Sequence, residues 1–207
     1  MTARRIAVWI TYGFSFVLFF SAPAIAQQNE LSLTFGGSFS TGTTFASVCE
    51  ALPTCTLTTN GVAVSPGFSI NADFAHRLMN VKAASLFLEM PVLASPSRSG
   101  PGFLGNNDFS SVFFTPSVRF QFAPGAGISP FLSGGAGFAH FSGEGSATPW
   151  ATQFGGGLDF KTHLPHLGFR VEARDFINGK PAITNLGGIS SGHLQQIFAG
   201  GGVVFKF

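Results

Sequence analysis

Beyond its first 26 residues this chain places apolar side chains at every second position, and nowhere gathers them into the run of about 20 that a spanning helix needs. Leu31, Leu33, Phe35 and Phe39 alternate with Ser32, Thr34, Ser38 and Ser40. The pattern returns in Val62, Val64, Phe68, Ile70 and Phe74, in Leu86, Leu88, Met90 and Val92, and in Val112, Phe114, Val118, Phe120 and Phe122. It returns again in Thr152, Phe154, Leu158 and Phe160, in Leu167, Phe169, Val171 and Ala173, and in Ile197, Ala199, Val203, Phe205 and Phe207. A glycine-rich segment from Ile128 to Phe141 adds one more strand whose phase is ambiguous. A strand of period two shows one apolar and one polar face, so the spacing predicts eight strands with a common apolar side.

Connections carry independent information. Segments 41–61, 94–110, 142–149 and 177–192 are long and rich in Gly, Ser, Pro and Asn, and they alternate with the short segments 76–82, 123–127 and 162–166. Strict alternation of long and short connections is the habit of an up-and-down barrel in an outer membrane. Pro116 falls inside a strand, where a closed barrel has no free edge, so a bulge is expected there.

The chain opens with a short basic segment, Met1 to Arg5, an apolar run from Ile6 to Phe20, and the small-residue box Ala24, Ile25, Ala26. Those are the parts of a secretory signal peptide, residues 1–26, which makes 27–207 the exported domain. Losing Arg4 and Arg5 lowers the basic count from eleven to nine, equal to the nine acidic residues, so the mature chain is neutral and nucleic acid is not an expected partner. Charged residues make up 10% of the chain, too few for the outside of an ordinary soluble domain. A membrane protein without spanning helices has one alternative, a closed barrel.

The final strand, Gly202, Val203, Val204, Phe205, Lys206, Phe207, resembles the terminal strand of bacterial outer-membrane β-barrels. Pro130 to Gly137 and Phe169 to Phe176 also resemble the fifth and seventh strands of the small OmpA-like transmembrane barrels, and the resemblance spans the whole mature chain. It implies an all-β, eight-stranded antiparallel up-and-down transmembrane β-barrel with long loops outside and both termini in the periplasm. It further implies that Gly202, Phe205 and Phe207 form the signal read by the barrel-assembly machinery. Outer-membrane lipid and lipopolysaccharide are then the expected partners, of a monomer. A soluble barrel of the lipocalin type shares the period with its faces reversed and stays as the structural rival. Trp150, beside the third long connection, fits a membrane-interface position.

On the polar face the pattern collects Asp73, Glu89, Asp159 and Glu172 with Arg119, Lys161, Arg170, Arg174 and Lys206. Buried charges must pair, so these nine residues are expected to plug the lumen as a network, with Asp159 across from Arg170 and Glu172 reaching toward both Arg170 and Arg174. Cys49 and Cys55, the two cysteines of an exported chain, are expected to form a disulfide in the first long loop. His163 and His166 read as solvated turn residues and no metal or cofactor is expected. Lipid deacylases among such barrels carry His, any residue, Ser on a late strand. Here Arg174, Asp175, Phe176 stand there, so no enzyme is expected, although Ser191 with His193 keeps that alternative open. Arg174 and Asp175 are expected to organise the fourth loop. The reading is a structural or surface-interacting barrel, with a narrow, porin-like ion channel as the alternative and a lipid-modifying enzyme third.

Overall fold

The computed structural model describes residues 29–48, 56–61, 66–102, 105–142, 146–179 and 191–207, and every regular element among them is a strand. Segment 1–26, Val62, Val64, Cys49 and Cys55 lie outside the described residues, as do the side chains of Ser191 and His193. The strands are β1 (Asn29–Val48), β2 (Thr56–Gly61), β3 (Gly67–Val81), β4 (Ala84–Gly102), β5 (Gly105–Phe114), β6 (Ser117–Phe122), β7 (Ile128–Ser142), β8 (Ser146–Ala147), β9 (Trp150–Lys161), β10 (Leu167–Asn178) and β11 (Ser191–Lys206).

Eight staves follow one another in chain order, with β5 and β6 end to end as the fourth and with β2 and β8 as short additions on β1 and β7. Each stave is antiparallel to the next, and β11 pairs back onto β1 from Glu30↔Lys206 to Phe45↔Ser191, which closes the barrel. Tracing cross-strand partners once round from Glu30 through Ala75, Glu89, Ser117, Gly135, Gln153, Phe176 and Gln196 arrives at Ser40, ten residues further along β1. That stagger sets a strand tilt of roughly 40° and a radius of about 8 Å, so side chains fill the interior. Both ends of the described chain meet at one rim, where the amides of Asn29 and Phe207 exchange hydrogen bonds of 3.0 and 2.9 Å. The tight turns lie at this rim, called here the turn end; the opposite rim is the hairpin end.

Faces follow the predicted alternation. Leu31, Phe35, Phe39, Phe68, Val118, Phe154, Phe169 and Phe205 are all exposed on the outside, while Ser32, Thr34, Ser69, Asn71 and Gln121 are buried. An apolar belt this large around the whole circumference is a surface for lipid, and it is the reverse of a lipocalin-type barrel, whose outside must be solvated.

Three expectations are corrected. The long connections are largely strand, because β1 runs on to Val48, β4 runs to Gly102 and β5 begins at Gly105. Gly, Ser and Asn residues hide such extensions from a hydropathy pattern, yet their backbone groups pair in the ladder all the same. The first tight turn shrinks from 76–82 to Lys82–Ala83, since a register shift between Arg77 and Met79 lets β3 continue past its broken alternation. No bulge occurs at Pro116. Val92↔Phe114 and Glu89↔Ser117 keep one register across it, and so do Phe114↔Phe138 and Ser117↔Gly135. Pro116 points outward and costs the ladder only its own missing donor, whereas an extra residue there would turn every following side chain to the wrong face. The second register shift instead lies between Ser95 and Arg98, a stretch that contains Pro96.

The ambiguous strand also takes a phase. Ser129, Phe131, Ser133, Ala139 and Phe141 of β7 are buried inside, with Ile128, Leu132 and Phe138 outside. Gly135 and Gly137 fill the inward positions between, where a Cβ would collide with the carbonyl oxygens of Pro116 and Phe114. Close approach of two strands requires glycine at both.

Candidate functional site

Three arginines hold the centre of the lumen, and each is at most 1% exposed. Arg119 comes from β6, Arg170 and Arg174 from β10, and period two aims all three inward. Arg119 pairs with Glu30, with Glu89 at 3.0 Å and with Asp159 at 3.6 Å. Arg170 donates to both oxygens of Asp159, at 2.7 and 3.0 Å, and lies 3.5 Å from Glu30 and from Asp73. Arg174 meets Glu172 at 2.9 Å, Glu89 at 3.4 Å and Asp73 at 3.6 Å. Lys206 adds a bond of 3.2 Å to Glu30.

These pairs form layers along the barrel axis. Glu30 and Asp159 lie toward the turn end. Arg119 and Arg170 bridge them to Glu89 and Asp73, and Arg174 links that second acidic pair to Glu172. Aromatic rings complete the layers. The Arg119 guanidinium sits 4.2 Å from the Phe87 ring centre and 5.5 Å from that of Phe131, whose ring also lies 4.7 Å from Arg170. Neutral donors supply what the cations leave: Thr34 and Asn71 donate to Glu172 at 2.6 and 2.7 Å, Gln121 to Asp159 at 2.9 Å, and Ser117 to Glu89 at 3.2 Å. Desolvating so many charges costs several kcal/mol per ion, and multidentate pairing is what offsets it.

Toward the hairpin end the lumen changes character. Leu93, Phe113, Ala139, Phe141, Ala151, Phe176 and Phe198 form one buried apolar cluster, with Phe113 4.9 Å from Phe176 and 5.8 Å from Phe141 between ring centres. Along β10 the order Arg170, Glu172, Arg174, Phe176 runs from the ionic layers into this cluster. Beside it Ser38, Ser69 and Ser95 link hydroxyl to hydroxyl at 2.6 Å, and the amide of Gln196 donates to Ser95 at 3.2 Å. Two different seals, one ionic and one aromatic, therefore close the same bore.

Of the nine network residues expected, Asp73, Glu89, Arg119, Asp159, Arg170, Glu172 and Arg174 are buried together, and Lys206 joins them half-buried. Lys161 does not. It is exposed at the turn end and makes no ion pair among the described residues. Asp159 faces Arg170 in register as expected, but Glu172 pairs with Arg174 alone, because Arg170 is taken up by Asp159, Glu30 and Asp73. Arg174 points into the network, while Asp175 faces outward and accepts a bond of 2.6 Å from Gln195; residues 180–190 of the fourth connection, which the two were expected to organise, lie outside the described residues. Glu30 is the residue the alternation missed. Extending the period one step back from Leu31 would have placed it inside. Among the described residues six phenylalanines point inward, and five of them, Phe113, Phe131, Phe141, Phe176 and Phe198, were equally hidden, since on a strand with Phe on both faces the aromatic count carries no sign of direction.

At the turn end the bore opens into a vestibule of about 210 Å³. Its floor is Glu30, Asp159 and Gln121, its wall includes Phe87 and Val204, and Arg77, Lys161 and Lys206 stand around it. His163 and His166 are exposed in the adjoining turn, and Nδ1 of His166 lies 3.0 Å from the carbonyl oxygen of Lys206. Trp150 marks the other rim, exposed on the outer face beside Phe138, its cross-strand partner. Gly202 and Phe205 lie in the closing strand and Phe207 immediately after it, with both phenylalanines exposed outward and a centroid distance of 5.9 Å.

A closed, eight-staved, up-and-down barrel with an apolar belt and a filled lumen is the fold of the small outer-membrane β-barrels. No protein-family model matches the chain, and none of the curated proteins does. Among solved structures it is similar to the outer-membrane protein OprG of Pseudomonas aeruginosa, with a TM-score of 0.54 and 13% identity over 87% of this chain and 97% of that one. Neisserial surface protein A gives 0.54 and 12% over 86% and 97%, and the outer-membrane protein AlkL gives 0.53 and 14% over 90% and 94%. At such identities the likeness is one of fold.

Proposed function

We propose that the chain is a monomeric, non-catalytic protein of the bacterial outer membrane, with a structural or surface-interacting role exercised through its four long hairpins. In this reading the hairpins face outward, the turn end and both termini lie in the periplasm, and outer-membrane lipid and lipopolysaccharide surround the apolar belt. The reading rests on one observation above all: the bore is blocked twice, by guanidiniums at most 1% exposed and by the aromatic cluster beyond them. A lumen about 8 Å in radius and filled in this way leaves side chains, not water, along its axis. Closure of β11 onto β1 also leaves no free strand edge in the barrel wall to recruit a second copy.

The test is electrical. Refolded protein in planar bilayers should give no stable conductance steps. Regular steps that disappear when Glu172 or Arg170 is replaced would overturn the plug reading in favour of the narrow channel. Loss or transfer of lipid A acyl chains in a manner dependent on Ser191 or His193 would overturn the non-catalytic one.

A further inference from the structure

Polar groups border the aromatic cluster on both of its faces. Residues two apart on a strand share a side and lie about 6.6 Å apart, so the lumenal neighbour of each cluster member stands just above or below the cluster. Ser111 and Thr115 flank Phe113 on its hairpin and turn sides. Gln153 flanks Ala151 on the turn side, while Asn178 and Gln196 flank Phe176 and Phe198 on the hairpin side. All five are at most 3% exposed. Both amide atoms of Asn178, Oε1 of Gln153 and of Gln196, and the hydroxyls of Ser111 and Thr115 have no hydrogen-bond partner among the described residues. The glutamines are fixed by their other ends, since Nε2 of Gln153 donates to Ser133 at 3.0 Å and Nε2 of Gln196 to Ser95 at 3.2 Å. A buried polar group left unmet costs its full desolvation, so these atoms around one apolar cluster call for a shared partner. That partner must be neutral and able both to donate and to accept, because amide oxygens accept, the Asn178 amide donates and hydroxyls do either. Small residues stand beside them, with Ala151 facing Asn178 across the ladder and Gly135 facing Gln153.

We propose that the barrel binds structural water on both faces of the aromatic cluster. On the turn side water bridges the Thr115 hydroxyl to Oε1 of Gln153, which stand on the two staves flanking β7. On the hairpin side it joins the Asn178 amide to Oε1 of Gln196 and to Ser111. Water settles in a buried site where about two to four polar partners surround it, and each face supplies at least two. The cluster stands between the two sets, so they form no continuous column. Conductance therefore tests the plug, and bound water tests this inference separately.

Bound water is read by ¹⁵N-resolved NOESY and ROESY spectra of the refolded barrel in deuterated detergent. The side-chain amides of Gln153 and Asn178 are expected to show cross-peaks to the water resonance with the sign of long-lived contact in both spectra, which separates bound water from proton exchange. Thr115→Val gives a second readout. With water bound, the valine removes one of its partners and lowers the urea midpoint; at a dry site it removes an unmet hydroxyl and raises the midpoint. Ser111→Ala makes the same comparison on the hairpin side if the valine variant does not refold. Absence of the water cross-peaks at either amide would overturn the proposal for that face, and a raised midpoint in the variant would overturn it for the face that carries the substitution.

Discussion

Arg119→Ala is the substitution that tests the plug most directly. The guanidinium is fully buried, pairs with Glu30, Glu89 and Asp159, and is flanked by the rings of Phe87 and Phe131. Removing it does not strand the three acids equally. Glu30 keeps Arg170 and Lys206, and Asp159 keeps two bonds from Arg170, but Glu89 is left with Arg174 at 3.4 Å and the Ser117 hydroxyl at 3.2 Å. Breaking a buried pair while its partner stays charged costs about 3–5 kcal/mol, and the loss of the stacked rings falls within that range. Adding Glu89→Gln removes the stranded charge, so in a cycle with the two single variants the Arg119→Ala/Glu89→Gln double variant should recover about 1–3 kcal/mol of the loss as coupling. Urea unfolding in lipid vesicles measures both, followed by gel mobility and by fluorescence of Trp150, the one tryptophan beyond residue 26. A loss below about 1 kcal/mol for Arg119→Ala, or a cycle with no coupling, would refute the view that these charges act as one network.

Gly202→Ala should prevent or severely weaken closure, because its Cβ would land on the carbonyl oxygen of Leu33 across the β1–β11 seam, whereas Gly127→Ala meets nothing within 4 Å and should unfold as wild type does. Equal urea midpoints for the two would contradict this. Pro116→Val supplies the one donor missing opposite Ala136, whose own amide already donates to the Pro116 oxygen at 3.2 Å, and should raise stability by about 1 kcal/mol; a lower unfolding midpoint would show that the proline relieves strain instead. Deleting Phe207 should reduce the amount of barrel assembled in cells while leaving refolding into detergent intact, and unchanged membrane yield would remove it from the assembly signal.

How much of this was legible beforehand varied with the kind of residue. On β10 the alternation of Phe169, Val171 and Ala173 with Arg170, Glu172 and Arg174 is unambiguous, and the structure keeps every one of those faces. On β7 small residues and phenylalanines occupy both faces, so nothing in the composition distinguished Phe131 inside from Leu132 outside. Lys161 obeyed the period yet fell outside the network, since its height on the stave, not its face, carried it past the last buried layer. Strand extensions such as Thr41 to Val48 were similarly invisible, being fixed by ladder pairing of backbone groups whatever their side chains.

The sequence by itself determined that this chain builds a lipid-belted barrel of eight staves, because period two is a local property of each strand and the turns that separate the strands are local as well. Only the tertiary structure decided which charges meet across staves that are not adjacent. Partners such as Glu30 and Arg119 lie on staves that are not neighbours and are brought together by the ten-residue stagger that closes the ring, a quantity that belongs to all eight registers jointly and to no single segment.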